Sequence, residues 1–249
     1  SYHLELIADQ LIYLAPPSHM DMVCDIINNS IIQRNTINVK RIYIDSPDIL
    51  GIVDENGRKI ILPILFRNIS AGDLIKGIIR VLQDIESTGN IPSVVNVSLG
   101  TYTDIPLMHA LIRELNRKGV IIVAASGNDN TNIPSYPAAY EEVIAVGAGS
   151  KGMIFGHKEP YSNRGSYVDI TDSGEYVRKI TLGSSTIEYR ATGTSFSSPR
   201  IAALVAGLLV IKNDLRPEEI ARIITKTADP LVGEQHFNNG LLGAGQANH

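Results

Sequence analysis

A run of small and apolar residues, Ile201-Ala202-Ala203-Leu204-Val205-Ala206-Gly207-Leu208-Leu209, follows Gly193-Thr194-Ser195-Phe196-Ser197-Ser198-Pro199-Arg200. A helix that is apolar on every side is an enclosed helix, so this stretch predicts a buried one over Ser195–Lys212. The Gly-Thr turn then sets Ser195 at its N-terminus, where the first backbone N–H groups are unpaired and the aligned peptide dipoles sum to roughly half a positive charge. Both favour a negative oxygen forming beside that hydroxyl. The same pattern also describes an N-capped core helix whose serines only satisfy backbone donors.

Val94–Val97, Val120–Ala125 and Val143–Gly147 are short and almost continuously apolar, as strands covered on both faces are. Ala71–Ser87 and Thr103–Lys118 repeat apolar residues at helical spacing, the second with Pro106 near its first turn and Gly119 as its stop. Strands of that kind separated by helices of about fifteen residues predict a three-layer α/β/α fold around a mostly parallel sheet. A chain of 249 residues, 44% hydrophobic, suits one large domain, residues 1–249. Earlier in the chain, Leu11–Ala15 reads as a short strand stopped by Pro16-Pro17, and Ser18 as the cap of a helix holding His19, Met22, Val23, Ile26 and Ile27. Arg41–Ile44 is a predicted strand, and Ile49–Val53 with Ile60–Leu65 a hairpin turning at Asn56-Gly57. Hairpin strands are expected at Tyr167–Ile170, Tyr176–Ile180 and Ile187–Arg190, and a surface helix from Arg216 to Lys226. Ligands of such sheets sit at the carboxyl ends of the strands, where Ser98, Gly127-Asn128 and the loop before Ser195 all fall.

Three ordered blocks resemble the subtilisin-like serine proteases (the subtilases). Gly193-Thr194-Ser195-Phe196-Ser197-Ser198-Pro199 resembles the family's nucleophile motif, with every fixed position filled. Val123-Ala124-Ala125-Ser126-Gly127-Asn128 resembles its oxyanion-hole strand end, and Val95-Asn96-Val97-Ser98-Leu99-Gly100 its substrate-binding strand. The resemblance implies a subtilisin-like fold. It also implies a serine endopeptidase working through an acyl-enzyme, with Ser195 as nucleophile, His19 as base and Asn128 as oxyanion donor beside the Ser195 N–H. Ser98, Leu99 and Gly100 would pair with an extended peptide, and Gly127 with Ala138 would complete the pocket for the residue before the cut, expected to be small to medium and apolar. His3, His109, His157, His236 and His249 are expected to face solvent. Residues 47–66 stand where the family has a short loop and read as an inserted hairpin near the cleft rim.

The chain departs from the family around the histidine. Met20, Asp21 and Met22 follow His19 where the family has Gly, Thr and a second His, and no Asp-Ser-Gly or Asp-Thr-Gly precedes it. Asp9 and Asp45 are the alternatives for the third triad acid, and absence, with Ala15 or Pro16 at the position, is the third; Asp21 would point away from His19 on the same helix. The altered block implies a narrow-substrate processing protease, or in the alternative a catalytically impaired pseudoprotease that binds a peptide or partner in the same cleft.

A net charge of -4 offers no basic excess to displace counterions from nucleic acid, so a peptide or protein substrate is the expected partner. The single cysteine, Cys24, rules out an internal disulfide and leans towards a cytoplasmic setting. The first residues lack a signal-peptide pattern, the chain opens on Ser1 as a trimmed product would, and no run of about 18 apolar residues is read as a membrane span. No cofactor is expected. Asn28-Asn29-Ser30 faintly resembles a calcium loop of the family but has no carboxylate cluster with it, and no Cys/His zinc pattern exists, so no metal site is assigned. Nothing in the sequence sets the oligomeric state.

Overall fold

The computed structural model describes residues 22, 25–26, 40–43, 50–53, 59–64, 71–89, 91, 94–151, 156–182, 185–231 and 240–249. Eight strands form the main sheet: β1 (Lys40–Tyr43), β2 (Leu50–Val53), β3 (Lys59–Ile64), β4 (Val94–Val97), β5 (Ile121–Ala125), β6 (Val143–Lys151), β7 (Gly156–Lys158) and β8 (Ile170–Asp172). They lie in the order β1-β2-β3-β4-β5-β6-β7, with β8 also paired to β6. From β3 to β6 every pairing is parallel, with Ile61 opposite Val94, Val94 opposite Ile121 and Ile122 opposite Val143. β8 continues the parallel set, with Val146 opposite Ile170.

The apolar strands alternate between two cores. Val95, Val97, Ile122 and Ala124 face one layer, where helix α1 (Ala71–Thr88) contributes Leu74, Ile78 and Val81 and helix α2 (Pro106–Arg117) contributes Met108, Ile112 and Leu115. Val94, Ile121 and Val123 face the other. There helix α3 (Thr194–Ile211) lays Ile201, Ala202, Val205 and Ala206 across the sheet, and helix α4 (Pro217–Lys226) adds Ile220 and Ile224. A strand with both faces covered has no polar side, so near-continuous apolar runs are what a three-layer α/β/α structure requires. By length and composition alone helix α3 could cross a membrane, but two thirds of it is buried inside this fold.

Three expectations change. Helix α2 starts at Pro106 rather than Thr103, because the residue before a proline is driven out of helical geometry: Ile105 is extended, at φ -119 and ψ 107. The segment after Tyr167 becomes parallel strand β8 instead of a hairpin. The strands expected at Tyr176–Ile180 and Ile187–Arg190 do pair antiparallel, as β9 (Glu175–Leu182) and β10 (Ser185–Thr192). Within the 47–66 segment, β2 and β3 pair antiparallel as expected, and β3 is more than a hairpin arm, since it is also a member of the parallel sheet beside β4.

Asp169 ties β6 to the C-terminal turn. Its Oδ2 accepts the Ala145 N–H at 2.8 Å, and its carbonyl accepts the Ala244 N–H at 2.8 Å. Gly243, at φ +68, packs so closely there that a Cβ would lie 2.2 Å from the Asp169 carbonyl. Burial pushes the Asp169 carboxyl from 3.8 to about 6, against the lowering pull of the Ala145 N–H. A carboxyl whose folded pKa lies above its unfolded one contributes stability that is full below pH 3.8 and lost as pH rises through about 6. The gap is worth at most about 3 kcal/mol. Asp169→Asn keeps an oxygen for the Ala145 N–H and removes the charge. Its melting temperature is expected to exceed that of the natural protein by about 2–6 °C at pH 8, with the gain vanishing near pH 4, as read by calorimetry across pH.

Candidate active site

Two strand ends and one helix start meet at the carboxyl edge of the sheet. β5 ends at Ala125, β4 at Val97, and α3 begins at Thr194. Ser195 is the second residue of α3 and is 9% exposed. The N-cap residue of α3, Gly193, has no side chain to cap with; the Thr194 N–H goes to Asn128 and the Phe196 N–H to the Gly193 carbonyl, and among the described residues the Ser195 N–H has no partner. Pro199 lies inside the helix and has no N–H to give to the carbonyl four residues earlier, that of Ser195. The Ser98 hydroxyl fills the gap, donating to the Ser195 carbonyl at 3.0 Å. Ser98 Oγ is itself held by the Asn96 amide at 2.9 Å and lies 3.1 Å from the Ser198 hydroxyl.

The Asn128 amide is oriented by donors. Its Oδ1 accepts the Thr194 N–H at 2.8 Å and the Thr194 hydroxyl at 3.0 Å, and Thr194 Oγ1 accepts the Gly127 N–H at 3.2 Å. A backbone N–H can only donate, so the atom facing it is oxygen and Nδ2 is turned away. The Nδ2 group looks towards Gly193. A Cβ built on Gly193 would sit 3.0 Å from Ser195 Oγ and 3.4 Å from Asn128 Nδ2. The missing side chain of Gly193 therefore leaves a small space with the serine hydroxyl on one side and an amide donor on the other.

Gly127 is required by both conformation and crowding. Its φ is +107, and a Cβ would lie 2.3 Å from Asn163 Nδ2. Asn163 is saturated: Oδ1 accepts the Asp129 and Thr131 N–H groups at 2.9 and 3.2 Å, while Nδ2 donates to the Ser126 carbonyl at 3.0 Å and the Tyr102 hydroxyl at 2.9 Å. Tyr102 in turn donates to an Asp129 carboxylate oxygen. Burial pushes the Tyr102 phenol above 10.0, the Asn163 bond opposes this, and the Asp129 carboxylate adds to the rise, so the phenol keeps its proton. Burial likewise pushes Tyr161 and Tyr167 to about 12, which removes both from proton transfer near neutrality.

Past Val97 the chain runs through Leu99 and Gly100, half-buried and exposed, to Thr101. Thr101 and Tyr136 exchange backbone hydrogen bonds at 2.8 and 2.7 Å. Gly100 fits only as glycine there, since a Cβ would lie 2.7 Å from Ser135 Oγ and 2.9 Å from the Tyr136 carbonyl. The side chain of Ser98 is 6% exposed and serves helix α3, and Ala138 is 1% exposed in the α2-side core, so neither offers an open wall.

His19, Asp9, Asp21, Asp45, Cys24 and Asn28–Ser30 lie outside the described residues, as do His3 and His236. Met22, Asp25 and Ile26 of the predicted His19 helix are helical. Ile26 is buried in the core that holds Phe196 and Ile201, and Asp25 accepts the Tyr176 hydroxyl at 2.8 Å while Tyr176 stacks on Phe196 at 5.7 Å. His109, expected in solvent, is half-buried, while His249 is exposed as expected and also has a partner. His109 stacks on Tyr140 at 4.1 Å and bonds Glu142 at 2.9 Å, and His249 bonds the buried Asp172. His157 lies in β7. Among the described residues no group of three His, Cys, Asp or Glu side chains could hold a metal ion. Sequence reasoning missed the linking roles of Thr194, Asn163 and Tyr102. The Thr194 signal was present as the middle residue of Gly193-Thr194-Ser195; Asn163 and Tyr102 gave none, because their partners are distant in the chain.

The subtilase family model matches residues 65–245. The chain belongs to the subtilase family. It is similar to minor extracellular protease Epr of Bacillus subtilis, 37% identical over 51% of this chain and 19% of Epr. It is also similar to a thermostable alkaline protease of Halalkalibacterium halodurans, 28% identical over 67% of this chain and 45% of that protein. This chain thus spans less than half of either relative. Of solved structures, the prenylagaramide maturation protease PagA superposes at a TM-score of 0.58 with 22% identity, over 74% of this chain and 66% of that one, which supports the fold.

Proposed function

We propose that this chain is a serine endopeptidase that cuts peptide bonds through an acyl-enzyme. The observation that carries this reading is the shared space at Gly193, with the Ser195 hydroxyl on one side and the Asn128 Nδ2 donor on the other, at the N-terminus of a buried helix. Ser195 Oγ attacks the scissile carbonyl carbon, and its proton passes to His19. The carbonyl oxygen takes the negative charge and accepts from Asn128 Nδ2 and the Ser195 N–H, both pre-oriented donors. The C–N bond breaks, the amine leaves with the proton from His19, and water then hydrolyses the ester by the same route in reverse. The substrate chain lies extended beside Leu99 and Gly100, whose backbone bonds no neighbouring strand among the described residues. The altered block after His19 supports a narrow set of processed substrates.

Fluorophosphonate labelling followed by intact-mass measurement tests this. A single adduct on Ser195, absent in Ser195→Ala and in His19→Ala, is expected; Asp9→Ala and Asp45→Ala then locate the acid that orients His19. A folded protein that takes no adduct would sink the enzyme reading and leave the cleft as a peptide-binding surface.

A further inference from the structure

Lys158 carries its charge into a ring of oxygens. It ends β7 and is half-buried. Its ammonium donates to the carbonyls of Glu159, Ser162 and Pro160 at 2.8, 3.1 and 3.3 Å, and to Asn130 Oδ1 at 3.1 Å. A lysine brings three donors and no acceptor, so these four oxygens saturate it. Carbonyls that converge on one spot repel one another through their dipoles, and a cation placed there removes the conflict. The ammonium does for this turn what a bound ion does where carbonyl oxygens replace its hydration shell.

The ring joins two segments, 159–162 and the one holding Asn130, which stands two residues after Asn128. Backbone bonds run beside it. The Asn163 N–H donates to the Gly127 carbonyl, the Asp129 N–H to Asn163 Oδ1, and the Asn130 N–H to the Tyr161 carbonyl, each at 2.9 Å. Residues on both sides of Asn128 are thus fastened to 161–163, while its own Oδ1 is fastened to Thr194. Asn130 itself lies at φ +51, a left-handed conformation that asparagine tolerates but does not prefer. Two cations hold it there: Arg164 Nη1 donates to its Oδ1 at 2.8 Å and its carbonyl at 2.9 Å, and Lys158 shares the Oδ1.

We infer that Lys158 is a positioning residue for the oxyanion donor: its ammonium, a built-in cation in a cage of four oxygens, pins segment 127–131 to segment 159–163 and so fixes the direction of Asn128 Nδ2. The catalytic consequence rests on the endopeptidase reading, but the cage can be measured without catalysis.

Lys158→Ala empties the cage, and Lys158→Met removes the charge while keeping a long side chain. Both are expected to lower kcat about ten-fold with KM within about two-fold, because Nδ2 meets the substrate oxygen chiefly once charge has formed on it. In the Asn128→Ala background the same substitutions should cost less than about two-fold further, since the group they position is gone. Potassium chloride should raise kcat of Lys158→Ala about three-fold above tetramethylammonium chloride of equal ionic strength, and leave Lys158→Met unchanged, because only the emptied cage admits the ion. Asn130→Gly suits φ +51 and removes the shared acceptor; it should lower kcat about three-fold or more, and it decides the matter if the Lys158 variants fail to fold. Without catalysis, in the Ser195→Ala protein, potassium should raise the melting temperature of Lys158→Ala by about 2 °C over tetramethylammonium, with no such gain where Lys158 is present. A kcat loss equally large in the Asn128→Ala background, a rise in KM in place of the fall in kcat, an unchanged kcat in Asn130→Gly, or a melting temperature that potassium leaves unmoved overturns the inference. Failure of fluorophosphonate to label Ser195 in the natural protein overturns the endopeptidase reading instead, and the potassium shift then decides the cage by itself.

Discussion

Ser195→Ala is expected to lower kcat/KM for peptide hydrolysis by about 10⁴- to 10⁶-fold and to leave the melting temperature within about 2 °C of the natural protein. The two halves of that statement have different causes. The hydroxyl is the only part of Ser195 that alanine removes, and among the described residues it makes no hydrogen bond. The structural work of residue 195 is done by its backbone: the carbonyl accepts from Ser98, and the N–H stands at the helix N-terminus. Alanine keeps both and is the better helix former. Chemistry loses the nucleophile outright, and what is left is the rate that oriented donors give to attack by water. Peptide hydrolysis and calorimetry on one preparation check both halves. A rate that survives the substitution would remove Ser195 from the chemistry altogether.

The architecture was legible because its causes are local. Val94–Val97 and Ile121–Ala125 are apolar on both faces, which only a doubly covered sheet tolerates, and the α3 run leaves no polar side for solvent. What failed had distant causes. The direction of Ile170–Asp172 is set by pairing with Val146–Ala148 and by the contact of Asp169 with Ala145, neither of which is visible in a short apolar segment. The sheet role of Lys59–Ile64 was hidden because Ile61 must find Val94, 33 positions later, before it differs from any hairpin arm. In the site, Ser195, Gly127 and Asn128 were readable as blocks with fixed spacing. The network that orients them was not: Asn163 reaches Tyr102 over 61 residues, and Thr194 reaches Asn128 over 66. A side-chain hydrogen bond leaves no period in the sequence, so its partners are found only once the chain is folded.

The proposed reaction gives Asn128 a job on each of two atoms, and two substitutions should separate them. Oδ1 accepts from the Thr194 N–H and hydroxyl, which closes the first turn of α3 onto the end of β5. Nδ2 faces the Gly193 space and has no protein partner among the described residues. Asn128→Ala removes both atoms. It is expected to cost about 10²–10³ in kcat through the lost oxyanion donor, and about 1–2 kcal/mol of stability through the orphaned Thr194 N–H. Asn128→Asp keeps an oxygen for Thr194 and a negative charge near the positive end of α3, so its melting temperature should stay near that of the natural protein. Its second oxygen cannot donate, and its charge opposes the developing oxyanion, so its kcat should fall at least as far as that of Asn128→Ala while KM moves much less. Rates and melting curves measured side by side for the two variants distinguish the jobs. Equal stability loss in both would mean that Oδ1 does not cap α3, and full kcat in the aspartate variant would mean that Nδ2 is not the donor that meets the transition state.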